Sequence, residues 1–219
     1  MTATAASVRR ADPTDAVQVA GLIATAFAPL AVSRWLVPDT AARETVLPRY
    51  FRLLVDHALD KAGGVVYVVD GQATAVWVPW TEAGPPPEPE DYQARLAEIC
   101  GPWASRFGAL DALFAEHHPS TPHHHLEFLA VRPGLQGTGL GSRLLDWHHQ
   151  LLDSAGWPAY LEAASPSCRA LYARKGYDEY GAGMMELPGG PPLWAMWRPG
   201  RRLPAPTAPY RRAGLPGVD

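Results

Sequence analysis

The stretch Leu126–Leu145, LEFLAVRPGLQGTGLGSRLL, holds the most specific spacing in the chain. An apolar run leads through Arg132-Pro133-Gly134 into Gln136-Gly137-Thr138-Gly139-Leu140-Gly141-Ser142, which opens an amphipathic helical pattern. Glycines let backbone approach a ligand without a Cβ in the way, and the free N–H groups of a helix N-terminus hold an anion such as a diphosphate. A nucleoside-triphosphate loop would need Gly-Lys followed by Ser or Thr, whereas Gly141-Ser142-Arg143 stands here. A dinucleotide fingerprint would space its glycines as GxGxxG; these run Gly137, Gly139, Gly141 after an extra turn containing Pro133, although Glu162 does fall near the place of a ribose-binding acid. The third pattern is Gln/Arg-x-x-Gly-x-Gly/Ala after a strand, met by Gln136, Gly139 and Gly141.

Titratable side chains flank this loop. In HHHLEFLAV, strand periodicity places His125, Glu127, Leu129 and Val131 on one face. Glu162 lies in the strand-like AYLEA, and Tyr172 in SCRALYARKGY. Histidine titrates near neutrality, a partly buried carboxylate shifts upward toward it, and a phenol is protonated there. Together they offer proton acceptors and a proton donor. His117, His118, His123, His124 and His125 look like metal ligands, but adjacent strand residues point to opposite faces, so no metal site is expected. His148-His149 reads as a partly exposed helix face. Cys168 has no activating base nearby in sequence and reads as an inert small residue.

The elements that position these groups follow from periodicity. Val8–Arg10 reads as a short strand, Asp12-Pro13 as a cap and first helical residue, and the segment to Phe27 as a helix. A second helix fits Thr40–Leu59, behind a linker over 28–39. Val65–Val69 and Ala73–Val78 are β-rich runs joined at Asp70-Gly71, a hairpin signal. TEAGPPPEPE, residues 81–90, is a loop, because proline removes donors and fixes φ. Helix resumes over 89–116 with a break near Gly101-Pro102. His125–Val131 is a strand, Gly139–Ala155 a helix, Ala159–Ala163 a strand and Pro166–Arg174 a short helix. Tyr177–Tyr180 and Leu193–Arg198 complete the sheet. Hairpins and crossovers both occur, so strand directions are mixed. The expected organisation is one domain over 1–199, with a proline-rich loop and helical insertion at about 81–120, and a flexible Arg/Pro-rich tail over 200–219.

Taken together, the front strand and helices, the hairpin, the LAVRPGLQGTGLGSRLL block and the closing LYARKGY resemble the GCN5-related N-acetyltransferase superfamily, GNAT for short. The resemblance covers most of the chain and implies an α/β fold with a mixed, splayed sheet of six to seven strands flanked by helices. It implies acetyl-CoA as co-substrate and no metal. The pyrophosphate would rest on Gln136, Gly137, Thr138, Gly139, Leu140, Gly141 and Ser142, and the pantetheine arm would pair with the backbone of Leu129, Ala130 and Val131. Tyr172 matches the tyrosine that protonates the departing CoA sulfur. His125 occupies the place of the catalytic glutamate of histone-type members, and His125 with Glu127 sits where arylalkylamine N-acetyltransferases carry two histidines. Glu162 also matches a glutamate of one branch. The general base is thus His125, Glu127 or Glu162, with Glu127 preferred because a carboxylate there also attracts a cationic acceptor. One departure stands out: Cys168 replaces an asparagine that commonly touches pantetheine.

The implied reaction is transfer of acetyl from acetyl-CoA to a primary amine of a small molecule, an antibiotic or a biosynthetic intermediate, by direct attack on the thioester. Acylation of a protein amine, or non-catalytic acyl-CoA binding, are the alternatives. Trp35, Tyr50, Phe51, Trp77 and Trp80 around the expected mouth favour a flat or aromatic amine. Composition bounds the rest. The 219 residues suit one domain, and a net charge of −3 gives no electrostatic reason to expect nucleic acid or an anionic membrane. Two cysteines form no disulfide framework, and no run approaches the ~18 apolar residues of a membrane span. A cytoplasmic protein, monomeric or homodimeric, is expected.

Overall fold

The computed structural model describes residues 7–200, so the expected tail lies almost wholly outside the described residues. The elements run β1 (Arg9–Arg10), α1 (Ala16–Phe27), α2 (Ala31–Leu36), α3 (Thr40–Asp60), β2 (Val65–Val69), β3 (Ala73–Trp80), α4 (Tyr92–Cys100) and α5 (Ala104–His117). Then come β4 (His123–Val131), α6 (Leu140–Ala155), β5 (Ala159–Ala163), α7 (Pro166–Arg174), β6 (Asp178–Glu186) and β7 (Pro192–Arg198). Local chemistry sets several boundaries. Asp12 caps a 3-10 turn that leads into α1, with Asp15 closing a reciprocal capping box. Asp39 accepts from the Ala42 N–H at 2.7 Å and starts α3. Ser165 caps α7, where Pro166 takes the first-turn position that needs no donor.

The seven strands form one sheet in the order β1-β2-β3-β4-β5-β7-β6, antiparallel throughout except between β4 and β5. The expected mixed α/β sheet flanked by helices is therefore what forms. One face is covered by α1, α3, α4 and α5, through Ile23, Leu47, Phe51, Leu96 and Phe107. The other is covered by α6 and α7, through Leu144, Leu145, Leu152 and Tyr172. Among the described residues no helix is long and apolar enough to cross a membrane.

Four expectations change. The strand expected over Tyr177–Tyr180 is longer, since β6 runs over Asp178–Glu186. The linker over 28–39 contains the short helix α2, whose Val32 and Leu36 are buried. His148 and His149 are buried rather than partly exposed: His148 Nε2 lies 3.1 Å from His124 Nδ1, and His149 Nε2 lies 3.0 Å from the Tyr177 hydroxyl. Finally, β4 does not alternate along its whole length. Trp77 pairs with Leu126 and Val76 with Phe128, so Glu127 is an extra residue on β4. Such a bulge shifts side-chain parity by one. His125 and Glu127 therefore face the α3 side together with Phe128, while Leu129 and Val131 turn to the α6 side.

Candidate active site

β4 and β5 pair only at His124–Ala159 and His125–Tyr160. Beyond His125 they part, and the backbone of Leu129 to Val131 keeps β3 as its partner on one side with no strand on the other. An open strand edge of this kind can pair with an extended ligand.

On the α3 face beside this gap lies a cavity of about 250 Å³. Its apolar wall comes from Phe27 of α1, Leu36 of α2, Phe51 of α3, Phe114 of α5 and Phe128 of β4. Phe51 packs edge-on against Phe27 and Phe128, with ring centroids at 5.5 and 5.2 Å. The polar wall holds His125, Glu127 and Glu162, which the sequence separates by up to 37 residues. Of the five aromatics expected at the mouth, Tyr50 and Phe51 line the cavity. Trp77 is buried on the opposite face, stacked on His148, and Trp80 stacks on His118 at 3.6 Å. Trp35 lies under the Arg106 guanidinium. Strand parity explains Trp77: on β3 it stands beside Ala75 and Ala73, which face α6.

His125 Nε2 sits 2.8 Å from Glu162 Oε2. Burial opposes charge on the imidazole, but the Glu162 carboxylate and its hydrogen bond outweigh that and raise the His125 pKa. Burial raises Glu127, with Glu162 adding to the rise and His125 opposing it, and the carboxyl is pushed up to about 7. Across the cavity, burial pushes Asp111 up to about 6, while the Tyr92 hydroxyl donates to it at 3.0 Å. Asp111 carried no recognisable pattern in sequence, and the tertiary fold alone brings it to this pocket. Burial also keeps the neighbouring imidazoles neutral, lowering His118 to about 2 and His123 to about 4.

The remaining candidates lie on the α6 face. Tyr172 of α7 is buried against Tyr177, and burial raises its pKa well above the usual phenol value, so the hydroxyl stays protonated. It does not line the cavity. The glycine loop enters α6 with Gly137 at φ +78° and Gly139 at φ +92°, a region that side chains with a Cβ rarely adopt. Gln136 ties the loop down: its Oε1 accepts from Gly134 N–H at 3.0 Å and its Nε2 donates to Val131 carbonyl at 3.3 Å. Gly139 stands before α6 without a side-chain cap, so the first-turn N–H groups of Leu140, Gly141 and Ser142 have no partner within the helix and could hold an anion. A Cβ on Gly141 would touch Leu129 and Val131 at 3.6 Å, which ties the helix start to the open strand edge.

The two halves thus approach the β4/β5 gap from opposite faces. Comparison with known proteins gives the same architecture. The model of the acetyltransferase (GNAT) family matches residues 75–177, from β3 to just beyond α7. The histone acetyltransferase HPA2 and related acetyltransferase from Corynebacterium glutamicum is similar at 25% identity, over 94% of this chain and 100% of that one, with a TM-score of 0.65. Drosophila melanogaster polyamine N-acetyltransferase, which catalyses formation of N-acetylagmatine, is similar at 19% identity over 88% and 99%, with a TM-score of 0.55. Arylalkylamine N-acetyltransferase 2 from Aedes aegypti is similar at 14% identity over 88% and 98%, with a TM-score of 0.57. With this match over 75–177 and the shared sheet along most of its length, the chain has the fold of the acetyltransferase (GNAT) family.

Proposed function

We propose that the protein is an acetyl-CoA-dependent N-acetyltransferase acting on the primary amine of a small molecule with an apolar or aromatic body. The observation that carries this reading is the cavity itself: aromatic and aliphatic walls, with a carboxylate–imidazole cluster beside the β4/β5 gap. Such a pocket matches an organic cation that is apolar at one end. Walls drawn from α1, α2, α3, α4, α5, β4, β5 and β7 favour an enclosed acceptor site over a groove for a protein chain. The Tyr92–Asp111 pair adds a second polar anchor for an acceptor that carries a further donor. The VRRADPTD, QGTGLGS and YLEA segments also resemble puromycin N-acetyltransferase, which places puromycin among the acceptors to try.

In this reading the acetyl donor lies on the α6 side. Gln136 to Ser142 hold its pyrophosphate, and Leu129, Ala130 and Val131 hold the pantetheine through main-chain hydrogen bonds, so the thioester reaches the gap. The acceptor ammonium binds at the carboxylates of Glu127 and Glu162, with His125 held by Glu162 beside them. Glu127, poised near neutrality, takes the ammonium proton, while Glu162 fixes His125 opposite the amine. The free amine attacks the thioester carbon and the C–N bond forms; the nitrogen loses its second proton to solvent, and collapse of the tetrahedral intermediate breaks the C–S bond. Tyr172 then donates its phenolic proton to the thiolate and regains one from solvent. Holding both substrates in line supplies much of the rate.

The test is thiol release from acetyl-CoA with a panel of arylalkylamines, linear polyamines, puromycin and a lysine-containing peptide. Turnover confined to small apolar amines is the expected result. Turnover only with the peptide would overturn the acceptor assignment, and tight acetyl-CoA binding with no turnover on any amine would leave a binding module instead.

A further inference from the structure

The divergence of adjacent strand residues holds for His124, which turns to the α6 face and meets His148. It does not apply to His123 and His125, which are two apart and share a face, nor to His118, which arrives from the end of α5. The ligand atoms of His118, His125 and Glu162 all lie within 4.8 Å of one another.

Hydrogen bonding fixes which nitrogens are free. The Thr121 carbonyl can only accept, so His123 Nδ1, 2.7 Å away, carries the proton. In a neutral ring His123 Nε2 is then the acceptor, and His118 Nε2, 3.1 Å from it, must donate. That leaves a bare lone pair on His118 Nδ1, facing Glu162 Oε1 at 3.8 Å. The Glu162 side chain is 6% exposed, and its Oε1 and the neighbouring Tyr160 hydroxyl are both buried without a satisfied hydrogen bond. The His118 Nδ1 lone pair and the Glu162 carboxylate thus face each other with His125 Nε2 at their side, a set of donor atoms that an electron-pair acceptor would satisfy.

We propose that His118, His125 and Glu162 form a binding site for a divalent transition-metal ion of the zinc class, with an open coordination position toward the acceptor cavity. Two imidazoles and one carboxylate select first-row transition metals such as zinc, iron, cobalt, nickel or copper over magnesium and calcium. Three protein ligands and a vacant fourth position are the pattern of an accessible zinc site. His123, held by Thr121, orients His118 from behind. Entry is through the cavity, since His125 and Glu162 line it. Binding uses the His125 Nε2 lone pair, so the ring keeps one proton on Nδ1 and any second proton goes to solvent. The bound ion occupies the carboxylate and imidazole that the amine would use, so it inhibits transfer in competition with the acceptor.

Isothermal titration of the tag-free, chelator-treated full chain with Zn²⁺ tests this independently of turnover. One site per chain is expected, with at least tenfold weaker binding in His118→Phe, which keeps the ring stacked on Trp80 but lacks a ligand atom. Glu162→Gln gives the same comparison if His118→Phe does not fold. His117→Ala, a histidine whose Nδ1 already bonds the Leu113 carbonyl, should bind as wild type does. Co²⁺ should give visible d–d absorption in the wild type that is absent from His118→Phe. No zinc uptake, or equal uptake by wild type and both ligand variants, overturns the site and leaves the gap to water or to adventitious surface binding. Because the readout is binding alone, failure of the acetyl-transfer reading would not mimic failure here.

Discussion

The Nε2 of His125 lies 2.8 Å from Glu162 Oε2, and this contact joins β4 to β5 where their pairing ends. The pair closes one wall of the cavity and marks the start of the gap between β4 and β5. His125 consequently holds a positive charge more readily than a free imidazole does, and the neighbouring Glu127 is left as the carboxyl that titrates near neutrality.

Glu127→Gln should lower kcat by about 10²-fold or more, the usual contribution of a general base. Wild-type kcat/KM should rise with pH through about 7, because the carboxyl must lose its proton to serve as base. The variant should lose that limb and keep its affinity for acetyl-CoA. An unchanged pH profile in Glu127→Gln would transfer the role to His125 or Glu162, and unchanged turnover in Glu127→Gln, His125→Ala and Glu162→Gln alike would remove all three.

Tyr172→Phe keeps the packing against Tyr177 and deletes only the hydroxyl. Melting temperature should stay within a few degrees, while kcat drops by about 10²-fold, as expected for loss of a general acid. Steady-state rates with both substrates saturating check this. Wild-type turnover in the variant would reduce Tyr172 to a core residue.

Gly139→Trp forces a bulky residue into φ +92° at the end of the glycine loop that opens α6. The acetyl-CoA Kd should rise at least tenfold, with the amine KM little changed. Gly141→Ala, whose Cβ would make only ordinary 3.6 Å contacts, should bind close to wild type. Calorimetric titration of both variants separates loop geometry from a general loss of fold.

Phe114→Ala removes one aromatic wall of the acceptor cavity from a half-buried position. The KM for an aromatic amine should rise several-fold, and bulkier amines should gain relative to small ones, with the acetyl-CoA KM unchanged. Equal effects on all acceptors would show that Phe114 does not contact them.

Asp39→Ala should cost about 1 kcal/mol of stability, through loss of the α3 cap seen in its 2.7 Å bond to the Ala42 N–H. Chemical denaturation measures it, and a loss under a few tenths of a kcal/mol would mean that water replaces the cap.

Much of the framework was legible because it is local. Turn and helix-start residues mark element ends, which is why the turn at Asp70-Gly71 and the helix starts at Thr40 and Pro166 fell where they stand. The Gln136-x-x-Gly139-x-Gly141 loop was readable for the same reason: its glycines answer to backbone dihedrals and a helix start.

What depends on contacts distant in sequence was not legible. Alternation placed Leu129 and Val131 with His125 and Glu127, but the bulge at Glu127, created by pairing with Val76 and Trp77, reverses the parity of everything after it. Packing against Tyr67, Trp77 and Tyr177 buried two histidines that the helix pattern left half exposed. Asp111 reaches the cavity only because α5 folds over α3. The sequence by itself determined most of the element order, the glycine loop that opens α6 and the titratable residue types present, since each rests on neighbours along the chain. Only the tertiary structure decided which of those residues meet: strand pairing and helix packing bring His118, His125 and Glu162 within 4.8 Å, a proximity that no spacing in the chain encodes.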